Sequence, residues 1–178
     1  LIEANKLGVP VIVATEMLHS MQESIYPTKA ECNDITNTVL DGASCLMLSG
    51  ETAIGLNPKE SIKTMQSIIN MTQRYILNKK NISLEYIYDR KLGQADVMAA
   101  SVSLIASSDI SKGLVCISKT GDGVRFLSRY INQNFYCVTD SYATLRHLNI
   151  FRNVRPILSN VIFNKVDRSH IYSIARQL

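Results

Sequence analysis

The sequence predicts an α/β fold with parallel strands. Short apolar runs rich in β-branched residues alternate with segments of helical periodicity, a pattern typical of strands covered on both faces by helices. The chain has 178 residues, 46% of them hydrophobic, enough to bury a core in one domain or two small ones. No apolar run approaches the roughly 18 to 20 residues that a membrane helix needs. The polar, amphipathic start is unlike a signal peptide, so we expect a cytoplasmic protein.

Two strand–helix pairs are predicted in the first part of the chain. The first strand is VPVIVA, residues 9–14, and a helix follows from Thr28, which stands in capping-box spacing with a Glu three positions later. The second strand is SCLMLS, residues 44–49, after which Asn57 and Pro58 open another helix. The apolar stripe of that helix consists of Ile62, Met65, Ile69 and Ile76. This order predicts parallel strands joined by right-handed crossovers.

A polar, irregular segment, residues 81–93, is the predicted linker to a second unit, residues 94–178. The elements predicted there are helices over 95–106, 124–131, 142–148 and 166–178 and strands over 113–118, 135–140 and 154–159. We expect the last strand at a sheet edge, because Pro156 has no N–H to donate to a neighbouring strand. The alternation predicts a small doubly wound α/β domain.

Polar side chains follow both strands of the first unit. Thr15 and Glu16 follow the first strand, and Ser49, Gly50, Glu51 and Thr52 follow the second. Reactive groups of parallel α/β folds stand at the carboxyl ends of strands, so both clusters are expected to line one pocket. The alternative is that these residues only form turns and cap a helix.

Charge and composition limit the other classes of function. The net charge is +4, and from Lys119 onward nine Lys or Arg accompany three Asp. This favours an anionic partner such as a phosphorylated metabolite, or else a solvated basic face. Nucleic acid is not an expected partner, because no aromatic stacking array accompanies the charge. The cysteines, at 32, 45, 116 and 137, lack metal-ligand spacing and are predicted to be reduced thiols.

Several longer segments resemble the pyruvate kinase family. ATEMLHSM, YPTKAECNDITNTVLDGASCLMLSGETAIG and NPKESIKTM are similar to the last two βα units of its (β/α)8 TIM barrel. SKTGDGVRFLSRY and YCVTDSYATLRHLNIFRNVRPIL are similar to its C-terminal regulatory domain. The resemblance covers essentially the whole chain but only the C-terminal portion of such an enzyme. It implies a partial barrel over residues 1–80 and a truncated C-terminal α/β domain over 94–178.

The resemblance implies glycolytic transfer of a phosphoryl group from phosphoenolpyruvate to ADP, giving pyruvate and ATP. Thr15 matches the threonine that contacts the substrate carboxylate, Ser49 a serine of the proton relay, and Glu51 the acid that holds the relay in place. Family members are cytoplasmic, allosteric homotetramers that use Mg²⁺ or Mn²⁺ and K⁺. Their metal ligands lie on earlier barrel strands, so we expect no metal site in this portion. A fragment of this kind is expected to be inactive alone.

This chain departs from the family pattern at several positions. Glu16 stands where Gln is usual and Lys29 where Arg is usual, so Glu16 adds negative charge near an anionic substrate and Lys29 lacks the bidentate fork of Arg. The loop that holds a sugar-phosphate activator corresponds to Ser118, Lys119, Thr120, Gly121, Asp122 and Gly123. Activated members usually have Ser or Thr in place of Gly123, and Asp122 adds an anion, so we expect a weak or different effector. The alternative function is a non-catalytic module that binds a phosphorylated effector at this loop.

Overall fold

The computed structural model describes residues 1–14, 16–78, 93–108 and 113–160. The chain divides into two compact units, Leu1–Asn81 and Ile82–Leu178. All strand pairs in the described residues are parallel, which confirms the predicted α/β fold with parallel strands. The predicted linker falls almost wholly outside the described residues, and the predicted helix over 166–178 falls entirely outside them. None of the described helices combines the length and apolar character that a bilayer crossing requires.

The described part of the first unit, residues 1–14 and 16–78, has two short parallel strands and four α-helices. In chain order they are α1 (Ile2–Leu7), β1 (Ile12–Val13), a 3₁₀ turn (His19–Gln22), α2 (Lys29–Leu40), β2 (Cys45–Leu46), α3 (Gly50–Ala53) and α4 (Pro58–Asn78). The register pairs Ile12 with Cys45 and Val13 with Leu46. Both strands are shorter than predicted, because the pairing is limited to these two residues in each.

The core of the first unit lies between β1, β2 and the helices that follow them. Its buried side chains are those of Met17, Leu18, Met21, Ile35 and Met65. The predicted capping box at the start of α2 is present: Thr28 accepts a hydrogen bond from the Glu31 N–H, and the Glu31 carboxylate accepts one from the Thr28 N–H. Through Met17, Leu18 and Met21, the segment after β1 packs against α2 and α4.

Within residues 93–108 and 113–160, the second unit shows a three-stranded parallel sheet and three helices. They are α5 (Gln94–Ala106), β3 (Val115–Ile117), α6 (Asp122–Tyr130), β4 (Phe135–Thr139), α7 (Tyr142–Leu148) and β5 (Val154–Leu158). The strand order is β3-β4-β5, so β5, which contains Pro156, ends the described sheet as predicted. The main hydrophobic core of the second unit consists of Val124, Ile131, Phe135, Cys137, Leu148 and Phe151.

A polar cluster joins α5 to α6 inside the second unit. The Arg129 guanidinium forms an ion pair with the Asp96 carboxylate, and the Tyr130 hydroxyl donates to the same carboxylate at 3.1 Å. The Arg129 and Asp96 side chains are 9% and 16% exposed, so most of this charge is removed from water. Burial, followed by the Asp96 charge, raises the pKa of Tyr130. The cluster fixes the relative position of the two helices.

Candidate active site

The carboxyl ends of β1 and β2 lie side by side, because the two strands are parallel and in direct register. The first polar cluster follows β1 and the second follows β2, as the sequence predicts. Thr15 itself lies outside the described residues. The site is therefore defined by the chain on either side of it and by the residues after β2.

Glu51 joins the two loops. One carboxylate oxygen, Oε1, accepts a hydrogen bond from the backbone N–H of Leu18 at 3.0 Å. The other, Oε2, accepts one from the backbone N–H of Ser49 at 2.8 Å. The Glu51 residue is only 1% exposed, so one buried carboxylate links the segment after β1 to the segment after β2.

The surroundings of Glu51 keep it ionised. Burial is the largest single influence and raises its pKa, but it is outweighed by hydrogen bonds from the backbone N–H groups of Leu18, Glu51 and Ser49 and by the nearby charge of His19. The net result is a pKa below the ordinary value for a glutamate. At neutral pH Glu51 is therefore a fixed anion that accepts hydrogen bonds and holds no proton to give.

Ser49 is the exposed group of this cluster. It occupies the position before the first residue of α3, yet its hydroxyl makes no capping hydrogen bond to that helix. The Thr52 hydroxyl instead donates to the Ser49 carbonyl at 3.3 Å. In the second cluster, Ser49 is therefore an exposed residue, whereas Glu51 is buried.

Gln22 is a site neighbour that the sequence reasoning missed. Its carbonyl accepts a hydrogen bond from the Leu56 N–H at 2.8 Å, and its side-chain amide lies 3.1 Å from His19 Nδ1. A Cβ atom at Gly50 would approach the Gln22 Nε2 to 2.6 Å. Gly50 thus marks a close approach of α3 to the Gln22 side chain, whose flexible end could move aside for a Cβ atom. Nothing in the sequence identifies Gln22 as the neighbour of Gly50.

The loop after β1 is also fastened to α2. The Glu31 carboxylate accepts hydrogen bonds from the Ser20 N–H at 2.7 Å and from the Ser20 hydroxyl at 2.6 Å, in addition to its role in the capping box. Burial raises the pKa of Glu31, but the bonds from Ser20 and Thr28 outweigh it and leave the pKa lowered. Two glutamates therefore hold this loop, Glu31 from one side and Glu51 from the other.

The two departures near the site are both exposed. Glu16 has a backbone φ of 48°, in the left-handed region that few non-glycine residues adopt, and its side chain faces solvent. Lys29 is the first residue of α2 and is also exposed. The left-handed backbone at Glu16 marks a sharp change of direction immediately after residue 15.

The predicted effector loop forms its own hydrogen bonds. The Gly121 N–H donates to the Ser118 hydroxyl oxygen at 2.9 Å, and the Thr120 hydroxyl donates to the Asp122 carboxylate at 2.7 Å. The Lys119 carbonyl accepts a bond from the Thr144 hydroxyl at 2.7 Å. Asp122 is the first residue of α6, so a carboxylate already occupies the positive end of that helix.

Gly121 and Gly123 differ in their surroundings. Gly121 has a φ of 89°, and a Cβ there would lie 3.2 Å from Leu148 Cδ2, whereas a Cβ at Gly123 would meet no atom within 4 Å. Within this loop, Gly121 is required by the backbone and Gly123 leaves open space. Arg129, in the last turn of α6, forms its ion pair with Asp96 on α5.

No group of three or more His, Cys, Asp or Glu that could hold a metal ion occurs among the described residues. None of the four cysteines is part of a disulfide. The described part of the chain thus provides no donor set into which a divalent ion can be placed.

Known proteins match this chain along most of its length. Residues 1–62 match the family model described as pyruvate kinase, barrel domain. The pyruvate kinase of Staphylococcus aureus strain USA300 is 37% identical over 161 residues, which is 88% of this chain and 27% of the relative. The same values hold for the pyruvate kinase of strain MRSA252. The chain therefore spans about a quarter of the length of the curated relatives it matches.

A solved structure agrees with these sequence matches. The crystal structure of a pyruvate kinase from Cryptosporidium parvum has a TM-score of 0.87 to this chain and 31% sequence identity, and the match covers 97% of this chain and 35% of that one. Sequence and fold thus point to the same group of proteins, and the chain belongs to the pyruvate kinase family.

Proposed function

We propose that this chain supplies part of a pyruvate kinase active site, namely the part that contacts the substrate carboxylate and handles the proton delivered to the enolate. Its first unit then corresponds to the last two βα units of a (β/α)8 barrel, residues 1–80. The second unit corresponds to the family's doubly wound C-terminal domain, residues 94–178. The observation that carries the proposal is Glu51, whose buried carboxylate joins the loop after β1 to the loop after β2.

The proposed roles follow from the chemistry of each side chain. A hydroxyl at Thr15 is able to donate a hydrogen bond to a carboxylate and to orient a water that delivers a proton. The hydroxyl of Ser49, an exposed residue, is the second member of that relay. Glu51 is a positioning residue, because its two oxygens are occupied by backbone N–H groups and its lowered pKa keeps it ionised.

The proposed substrates and ions are those of the pyruvate kinase family. The proposed reaction takes phosphoenolpyruvate and ADP, and members in general depend on Mg²⁺ and K⁺, which neutralise charge as the phosphoryl group is transferred. Because the described residues offer no metal donor set, no step proposed for this chain passes through a metal ion. The whole reaction accordingly requires residues in addition to those described. A cytoplasmic homotetramer is the assembly proposed by the same resemblance.

The alternative function, a phosphorylated-effector module at residues 118–123, is less well supported. The Asp122 carboxylate stands at the helix end where a phosphate would bind, and the Thr120 hydroxyl donates to it. An incoming phosphate would meet this negative charge and would have to displace the carboxylate from that hydroxyl. We therefore propose, at most, a weak effector at this loop.

The proposal is tested first on the chain as it stands. In an assay that couples pyruvate formation to an NADH-dependent dehydrogenase, the purified 178-residue chain is expected to give no turnover above background. Clear turnover would contradict the claim that further residues are needed.

A chimaera tests the assigned roles directly. The segment of the Staphylococcus aureus relative that matches this chain is replaced by the chain itself, and the product is expected to be active. Thr15→Ala is expected to lower kcat by roughly 10²- to 10⁴-fold, the range typical for loss of a proton-transfer group. The matched control is Thr38→Ala, which removes a hydroxyl bonded only within α2. Equal activity of the two variants would remove Thr15 from the mechanism.

A further inference from the structure

Two cysteines lie side by side on adjacent strands in the sheet of the second unit. Cys116 on β3 and Cys137 on β4 are register partners in a parallel pair, and both side chains belong to the same apolar core. Neighbouring strands lie about 4.7 to 4.9 Å apart, and a disulfide spans Cα atoms about 4.4 to 6.8 Å apart. The backbone thus already places these two residues within bonding range.

The two thiols are unequal in exposure and in acidity. Cys137 is fully buried, whereas Cys116 is only partly buried. A hydrogen bond between the thiols lowers the pKa of Cys116 and raises the pKa of Cys137. Cys116 is therefore the thiol that ionises first and the one that a small oxidant in solution reaches first. Thiolate character and access are the two properties that govern cysteine oxidation.

We propose that Cys116 and Cys137 form an oxidation site that closes to a reversible cross-strand disulfide with hydrogen peroxide. The Cys116 thiolate attacks one peroxide oxygen, the O–O bond breaks, and with one proton taken up a sulfenic acid and a water are formed. The Cys137 sulfur then attacks the Cys116 sulfur, the S–O bond breaks, and the hydroxide leaves with the Cys137 proton as a second water. Two thiols are oxidised and one peroxide is reduced to two waters.

The geometry also explains why the bond would be reversible. Because neighbouring strands lie about 4.7 to 4.9 Å apart, register partners on a parallel pair have their Cβ atoms about that far apart, whereas a relaxed disulfide needs Cβ atoms about 3.5 to 4.5 Å apart. Closing the bond therefore requires β3 and β4 to move together, and the strain makes it easier to reduce. Dithiothreitol is expected to open it readily.

Cys45 provides an internal comparison. It also lies on a short strand and is partly buried, but its register partner is Ile12, so no thiol stands opposite. Burial raises the pKa of Cys45. Because the residue beside it on the neighbouring strand is not a cysteine, Cys45 is expected to form no disulfide within the chain.

The test treats the whole chain with hydrogen peroxide, blocks the remaining thiols with N-ethylmaleimide and maps the tryptic peptides by mass spectrometry. Trypsin separates the two cysteines, since Cys116 falls in peptide 113–119 and Cys137 in peptide 130–146. The expected result is one linked species of these two peptides, two hydrogens lighter than their sum, that disappears with dithiothreitol. Recovery of both cysteines as maleimide adducts, or a cross-link to another cysteine instead, would overturn the proposal.

Variants identify the order of the two steps. Cys137→Ser should leave Cys116 as a sulfenic acid that dimedone captures, whereas Cys116→Ser should leave Cys137 unoxidised. The control Cys45→Ser should leave the linked species unchanged. Capture of a sulfenic acid at Cys137 in the Cys116→Ser protein would refute the assigned order. The peptide map of the unsubstituted chain decides the proposal even if a variant fails to fold.

Discussion

The hydrogen bonds of Glu51 allow a quantitative prediction for Glu51→Gln. An amide keeps one acceptor oxygen but places an NH₂ group opposite the other backbone N–H, so one of the two bonds is lost. Leu18 is fully buried, and a buried donor left without an acceptor costs about 1 to 3 kcal/mol. The Ser49 N–H bond to the same buried carboxylate is partly buried, so in either orientation the amide leaves one backbone N–H facing an NH₂ group. We expect the first unit to lose about 2 kcal/mol.

The measurement must report on the first unit alone, because a chain with two compact units need not unfold in one step. Amide hydrogen exchange followed by NMR meets this need. A loss of about 2 kcal/mol corresponds to roughly 30-fold faster exchange of protected amides around Leu18. Amides of β4, in the other unit, should keep their rates.

Glu60→Gln is the matched control. Glu60 forms an exposed ion pair with Lys63 at 2.7 Å, and such surface pairs contribute about 0 to 1 kcal/mol. Its effect on exchange should therefore be small. If Glu51→Gln accelerated exchange no more than Glu60→Gln, the inference that Glu51 holds the two loops together would be wrong.

The same variant has a defined pH signature. Because the folded-state pKa of Glu51 is lowered from 4.5, its stabilising effect is fully present above that value and is lost as the pH falls through the lower folded-state pKa. The difference in exchange between the unsubstituted chain and Glu51→Gln should thus be largest near neutral pH and should shrink in acid. A difference that grew on acidification would refute the assigned direction.

Two further predictions concern the second unit. Gly121→Ala places a Cβ on a left-handed backbone and 3.2 Å from Leu148 Cδ2. Hydrogen exchange of the protected β4 amides should show a loss of about 1 to 3 kcal/mol, whereas Gly123→Ala, with open space around it, should be neutral or slightly stabilising. Asp96→Ala removes the carboxylate that Arg129 contacts in a largely buried ion pair and should cost about 3 kcal/mol by the same measurement. A loss below that of an exposed pair would contradict the role given to this cluster.

Much of the local structure could be predicted from the sequence because it depends on neighbouring residues. The capping box of Thr28 and Glu31 is a spacing of three, and parallel pairing follows from the alternation of strands and helices. Prediction was less accurate for burial along α4. Ile62, placed in the apolar stripe, is 56% exposed, whereas Ser61 is buried. Ser61 tolerates burial because its hydroxyl donates to the Asn57 carbonyl at 3.0 Å.

The contacts that define the candidate site could not be predicted in the same way. Glu51 was selected from its position after a strand, but its partners are the backbone N–H groups of Leu18 and Ser49. Every residue except proline has such a group, so no residue type marks the partner in a sequence. The short helices α1 and α3 were not predicted either. With four residues, α3 is too short to show a helical repeat.

The Glu51 bridge has a consequence for how this part of the chain tolerates mutation. Its bond to Leu18 joins residues 33 positions apart in the sequence. The effect of a substitution in one loop on stability therefore depends on which residues the other loop carries. Substitutions around Leu18 and around Glu51 should therefore be epistatic, with combined effects that differ from the sum of the single ones. Among homologues, we expect that the loss of the acid at position 51 is accompanied by a compensating replacement near position 18.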